Sequence, residues 1–163
     1  MCAARLYVDK DLLVIGFGNS LRRDDGVGPA VAGELEELGL PGLRTIACTQ
    51  LTPELSEPLS GARAAVFVDA AVNGPGRVRL SRLDPPAASQ ILAHAADPRA
   101  LLALARQVFG RAPDAWMLTV PVDDLGYGEQ LSPRARRGLR TAVRAVLALN
   151  RRLRVRDPLC PRP

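Results

Sequence analysis

Apolar residues along this chain fall into short uninterrupted runs that alternate with stretches where they recur every three or four positions, a pattern that predicts strands and helices in turn. Leu12 to Ile15 is one such run; it stops at Gly16 and reads as a buried strand entering a glycine-rich loop. A helix is expected from about Asp25 to Leu38, followed by a strand over Leu43 to Cys48. Thr52-Pro53-Glu54 has the form of a helix start, with Thr52 as N-cap and Pro53 in the first turn, where its missing N–H costs nothing. Ala64 to Val68 is the clearest buried strand, with Gly61 before it and Asp69 after it. Arg77 to Leu80 alternates as an edge strand does, beyond a turn at Asn73-Gly74-Pro75-Gly76.

From Leu83 to Ala96 the period is lost and Pro85-Pro86 intervenes, so an irregular surface excursion is expected. Asp97-Pro98 repeats the cap-plus-proline signature, and Leu101, Leu102, Ala105, Val108 and Phe109 mark the buried stripe of a helix ending at Gly110. Ala115 to Val122 reads as the last strand. A loop from Asp123 to Glu129 then leads to Ser132-Pro133, the start of a long final helix. Strands and helices in alternation predict the α/β class: a single three-layer α/β/α domain around a mostly parallel, twisted sheet with one antiparallel edge strand. The domain spans residues 1–163, with its core over about 11–152 and a flexible tail over about 157–163.

Composition narrows the class further. With 47% hydrophobic but only 4% aromatic residues, the core must be built mainly of Leu, Val and Ala. The net charge of +5 would suggest nucleic acid, but much of the excess lies between Arg134 and Arg156. There Leu139, Val143, Val146 and Leu147 keep helical spacing while Arg137, Arg140 and Arg144 fall on another face. That is a solvated or partner-facing surface, and the stacking aromatics and groove-reading motifs of a nucleic-acid binder are missing. No run approaches the roughly 20 apolar residues of a membrane span. Met1-Cys2-Ala3-Ala4-Arg5 lacks the apolar run of a secretory signal, so a cytoplasmic location is expected; a monomer is expected separately. Cys2, Cys48 and Cys160 are odd in number and widely spaced, which suggests neither a disulfide framework nor structural zinc.

In open parallel sheets, ligands bind beyond the carboxyl ends of the strands, and three candidate groups fall there: Asp25, Asp69 and His94, the only histidine. Each has an ordinary alternative: Asp69 as a strand-ending turn residue, Asp24 and Asp25 as acids at a helix N-terminus, His94 as a structural side chain. Together, two carboxylates and an imidazole would make a three-ligand site with open positions, suited to zinc, nickel or manganese. No G-x-S-x-G elbow or H-E-x-x-H helix is present. Gly16-Phe17-Gly18-Asn19-Ser20-Leu21 begins like a dinucleotide fingerprint, but Leu21 occupies the third glycine position, and Asp24 and Asp25 would repel a pyrophosphate. No nucleotide cofactor is expected.

The run Gly16-Phe17-Gly18-Asn19-Ser20-Leu21-Arg22-Arg23-Asp24-Asp25-Gly26-Val27-Gly28 closely resembles the signature of the hydrogenase maturation proteases, Gly-x-Gly-Asn-x-x-x-x-Asp-Asp/Glu-x-x-Gly. Val68-Asp69-Ala70, His94 with the helix after it, and Gly128-Glu129-Gln130-Leu131-Ser132-Pro133 are similar to the later blocks, so the likeness covers roughly residues 11 to 152. Where many relatives carry Asp-Gly-Gly-Thr after the second strand, this chain has Cys48-Thr49-Gln50-Leu51-Thr52-Pro53-Glu54, as in one branch of the family. The resemblance implies an endopeptidase that removes the C-terminal peptide of a [NiFe]-hydrogenase large-subunit precursor after nickel insertion. Nickel carried by that substrate would be the recognition element, held by Asp25, Asp69 and His94. Asp25 and Asp69 would also serve catalysis, with Asp24 either a base or a helix cap. Two rival readings are a general metallopeptidase with its own metal and a non-catalytic binder of the precursor.

Overall fold

A strand with no polar face must be covered on both sides, and the two central strands of this protein are of that kind. The computed structural model describes residues 12–72, 76–84 and 97–155. Its elements are β1 (Leu12–Phe17), α1 (Val27–Glu37), β2 (Leu43–Cys48), α2 (Ser56–Ser60), β3 (Ala64–Ala71), β4 (Arg79–Leu83), α3 (Pro98–Phe109), β5 (Asp114–Pro121) and α4 (Pro133–Val155). The sheet order is β2-β1-β3-β5-β4, parallel except for the antiparallel β4–β5 pair at one edge.

Alternate residues of each strand feed two separate cores. Leu12 and Val14 of β1, Val66 and Val68 of β3, and Leu118 and Val120 of β5 pack against α1 and α4. Leu13 and Ile15, Ala65 and Phe67, and Ala115 face α2 and α3 instead, with Leu59, Leu101 and Leu102. The three-layer α/β/α architecture expected from the alternation is thus the one observed. Phe67 is fully buried, a contribution of about 2–3 kcal/mol on the scale of apolar burial. On α4, Ala135, Leu139, Ala142, Val146 and Leu149 form the buried stripe, while Arg137, Arg140 and Arg144 are exposed as the spacing predicts.

Several expectations shift at their edges. The first helix starts at Val27, because Arg23–Gly26 forms a separate 3-10 turn. The helix expected after Thr52 is a 3-10 turn, Pro53–Leu55, leading into the five-residue α2; Thr52 makes no side-chain cap, and Pro58 inside α2 supplies no N–H. β3 continues through Asp69 to Ala71 because β5 pairs with it along its whole length, Asp69 opposite Thr119. Asp69 therefore lies within the strand. The edge strand spans Arg79–Leu83, so Leu83 belongs to it and not to the irregular segment. Asp97 caps α3 through the Arg99 N–H at 2.8 Å, but its buried stripe stops at Ala105. Val108 is 60% exposed and Phe109 44%, since the short α2, the other helix on that face, leaves the last turn of α3 uncovered. Residues 73–75 of the expected turn, the excursion over 85–96 with His94, and the tail over 157–163 lie outside the described residues.

Close contact between α1 and the sheet is what sets the loop geometry. A Cβ on Gly28 would sit 2.4 Å from the Phe17 carbonyl oxygen and 2.6 Å from that of Val68, so α1 can start against the carboxyl ends of β1 and β3 only with glycine there. The turn before α1 is thereby pressed onto the sheet edge where Asp69 lies.

Candidate active site

Chain reversal at the end of β1 begins at Gly18, whose φ of +138° is closed to side chains and whose Cβ would lie 2.0 Å from the Asp25 carbonyl oxygen. The Gly18 N–H donates to the Cys48 carbonyl at 3.1 Å, tying the loop to β2. Asn19 then organises the turn: its Oδ1 accepts from the Leu21 N–H at 2.9 Å, and its own N–H donates to Asp25 Oδ2 at 2.8 Å. The Asp25 N–H donates to the Arg22 carbonyl at 3.1 Å. These bonds fold the polar segment 19–25 over the sheet and leave the Asp25 carboxylate only partly covered.

Asp69 approaches from β3. By strand parity it follows Phe67 on the face shared with α2 and α3, and the Gly16–Val68 pairing places it one residue past the last paired position of β1. Its Oδ1 accepts from the Ala70 N–H at 2.8 Å. Burial pushes its pKa up to about 6; the Ala70 N–H works in the opposite direction, and the charge of Asp25 adds to the rise. The two carboxylates are thus close enough to repel one another. Among the described residues, no arginine or lysine is ion-paired with either. Two neighbouring carboxylates with no ion-pair partner among the described residues have the chemistry to hold a divalent cation, and a third ligand would complete the set. Among the described residues no cluster of three such ligands occurs, and His94 is outside them.

Asp24, next in sequence to Asp25, has a different environment. It is fully buried. Its Oδ2 accepts from the N–H groups of Asp123 and Asp124 at 3.3 and 3.1 Å and from the Ser132 hydroxyl at 2.8 Å, and its Oδ1 accepts from the Ser132 N–H at 2.6 Å. Burial alone would raise its pKa, but the N–H and hydroxyl of Ser132, with the N–H groups of Asp124 and Asp123, hold it below the ordinary carboxylate value. A carboxylate whose lone pairs are so occupied is poorly set to take a proton from substrate, so the reading of Asp24 as a base is set aside. As a cap it serves the far end of the chain: Ser132 is the N-cap of α4, its hydroxyl accepting from the Ala135 N–H at 3.1 Å.

The loop over 123–132 was legible as a loop but not as a neighbour of the Asp25 turn. The Arg23 N–H donates to the Gly128 carbonyl at 2.7 Å and the Gly128 N–H to the Leu21 carbonyl at 2.9 Å. Arg23 also pairs with Asp124 and donates from Nε to the Tyr127 carbonyl at 3.1 Å. Leu21, 59% exposed, and Tyr127, 89% exposed, belong to the two backbone segments that these bonds join. Partners a hundred residues apart leave no local signal; Ser132-Pro133 was readable as a cap, but not as a partner of Asp24.

No protein-family model matches the chain, and no curated protein matches it by sequence. Solved structures do share its fold. The hydrogenase maturating endopeptidase HybD from E. coli matches with a TM-score of 0.70 at 22% identity, over 87% of this chain and 93% of that one. An endopeptidase from Escherichia coli solved in solution matches with a TM-score of 0.68 at 24% identity, over 87% and 93%. The hydrogenase 2 maturation peptidase from a Thaumarchaeota archaeon matches with a TM-score of 0.63 at 23% identity, over 86% and 97%.

Proposed function

We propose that this protein is an endopeptidase that matures a [NiFe]-hydrogenase, removing the C-terminal peptide of the large-subunit precursor once nickel has been inserted. The observation that carries the reading is the Asp25–Asp69 pair: the charge of Asp25 is felt at the half-buried Asp69 at the carboxyl edge of a parallel sheet, and neither is ion-paired with a cation among the described residues. The glycine-rich signature that delivers Asp25 and the fold shared with maturation peptidases support the same reading. His94 is the third ligand on this proposal.

Nickel arrives as part of the substrate, and Asp25, Asp69 and His94 would hold it where it could polarise the scissile carbonyl or hold water. The protein's own residues do the rest. Asp25, held by the Asn19 N–H, offers its carboxylate to the incoming ion; Asp69, held through Ala70, offers the second. Both must be ionised to do so, and a cation between them would relieve their mutual repulsion. The exposed Leu21 and Tyr127 border the Asp25 turn and supply an apolar surface against which the precursor's chain can rest. Among the described residues no helix is long and apolar enough to cross a membrane.

The test is to mix the purified protein with nickel-loaded and nickel-free forms of the cognate precursor and follow the precursor's mass. Loss of a C-terminal peptide from the nickel-loaded form alone is the expected result. Cleavage of both forms would replace the proposal with a general peptidase. Binding without cleavage would replace it with a precursor-binding protein.

A further inference from the structure

Asp24 is the one fully buried carboxylate among the described residues, and its bonds reach across the chain to Ser132. We propose that Asp24 is a positioning residue for the carboxylate pair: by clasping the 123–132 segment to the turn that bears Asp25, it fixes where Asp25 stands relative to Asp69. The inference rests on the reading of Asp25 and Asp69 as the working pair.

Three features of the turn carry it. First, Arg23 has φ of +45°, a left-handed conformation that a residue with a Cβ holds only when its surroundings impose it. Second, those surroundings are the clasp itself. The N–H of Arg23 is bonded to Gly128, the N–H of Asp24 to the Asp124 carbonyl at 3.1 Å, and the Asp24 carboxylate to three N–H groups and a hydroxyl of the same segment. Third, successive side chains of a 3-10 turn lie about 120° apart, so fixing Asp24 inward commits the next residue, Asp25, to another direction, toward the sheet edge. Only an ionised carboxylate can accept all four bonds, because an amide in its place offers a single oxygen and adds donors to a site already full of them. Without the clasp the strained turn relaxes, and Asp25, two residues beyond Arg23, moves with it.

Amide hydrogen exchange on the isolated full-length protein tests this without substrate. In Asp24→Asn, the Asn19 N–H, which donates to Asp25, should exchange at least about tenfold faster, the scale of a lost bond to a charged acceptor, while the amides of β3 keep their protection. Should that variant fail to fold, Ser132→Ala removes one of the four donors and should speed Asn19 exchange by about threefold. With precursor, Asp24→Asn should lower kcat/KM at least about tenfold, as for groups that orient metal ligands. Faster exchange confined to the amides over 123–132, with Asn19 unchanged, overturns the proposal and leaves Asp24 a purely structural clasp, as does a kcat/KM within about threefold of wild type. If the wild-type protein cuts no precursor, the proposed function fails, and the Asn19 exchange rate still decides the role of Asp24.

Discussion

Replacing Asp69 by asparagine should make the protein more stable at neutral pH, an unusual outcome for a residue of the working pair. The carboxyl is pushed from 3.8 up to about 6 by burial, with a further contribution from Asp25. The sign follows from the raised value. The unfolded chain releases this proton from about pH 4 upward, whereas the folded protein holds it until about pH 6, so stability is lost across that window and the loss is complete above it. At 1.36 kcal/mol per pH unit the penalty on the ionised form is about 3 kcal/mol, and about 2 kcal/mol once solvent screening at a half-buried site is allowed for. Asparagine keeps an oxygen for the Ala70 N–H, is nearly isosteric, and is never charged. Urea unfolding of both proteins at pH 7.5 and pH 4 reads the effect directly. The variant should be more stable by about 2 kcal/mol at pH 7.5, a midpoint shift of about 1 M for a protein of this size. At pH 4 the two curves should nearly coincide. A variant that is less stable at pH 7.5, or a difference that does not change with pH, would refute the account of Asp69 as a desolvated, mutually repelled carboxylate. The same variant should no longer process precursor.

Asp24 carries the opposite sign: its folded value is lowered, so its contribution is present above about pH 4 and lost as pH falls further, and wild-type stability should drop more steeply below pH 4 than that of Asp24→Asn in acid unfolding. Because protons and a cation compete for Asp69, processing of nickel-loaded precursor should decline as pH falls through about 6, as a pH–rate profile would reveal. Gly28→Ala should cost about 3 kcal/mol, seen as a melting temperature lower by roughly 6–12 °C, since the added carbon meets two backbone oxygens that cannot swing aside. Tyr127→Ala should leave stability within about 0.5 kcal/mol by thermal melting, because the ring is 89% exposed, yet raise KM for the precursor.

Much of this protein could be read one element at a time. The runs at Leu12–Ile15 and Ala64–Val68, the cap-plus-proline starts at Asp97-Pro98 and Ser132-Pro133, and the arginine face of α4 depend on neighbours within a turn or two, so the strands, the two long helices and the α/β class follow from the sequence alone. Asp25 and Asp69 were singled out from position, because an acid where a buried strand meets its loop is conspicuous. What the chain by itself left undetermined is everything set by partners far apart in it. For Asp24 the sequence left two roles open, base or helix cap. Only tertiary structure shows its partners, burying it against Ser132, 108 residues away, while the charge of Asp25 is felt at Asp69. The extension of β3 past Asp69 and the exposed last turn of α3 have the same origin. Periodicity records which face of an element is apolar, whereas pairing with β5 and the short reach of α2 determine how far that face is covered.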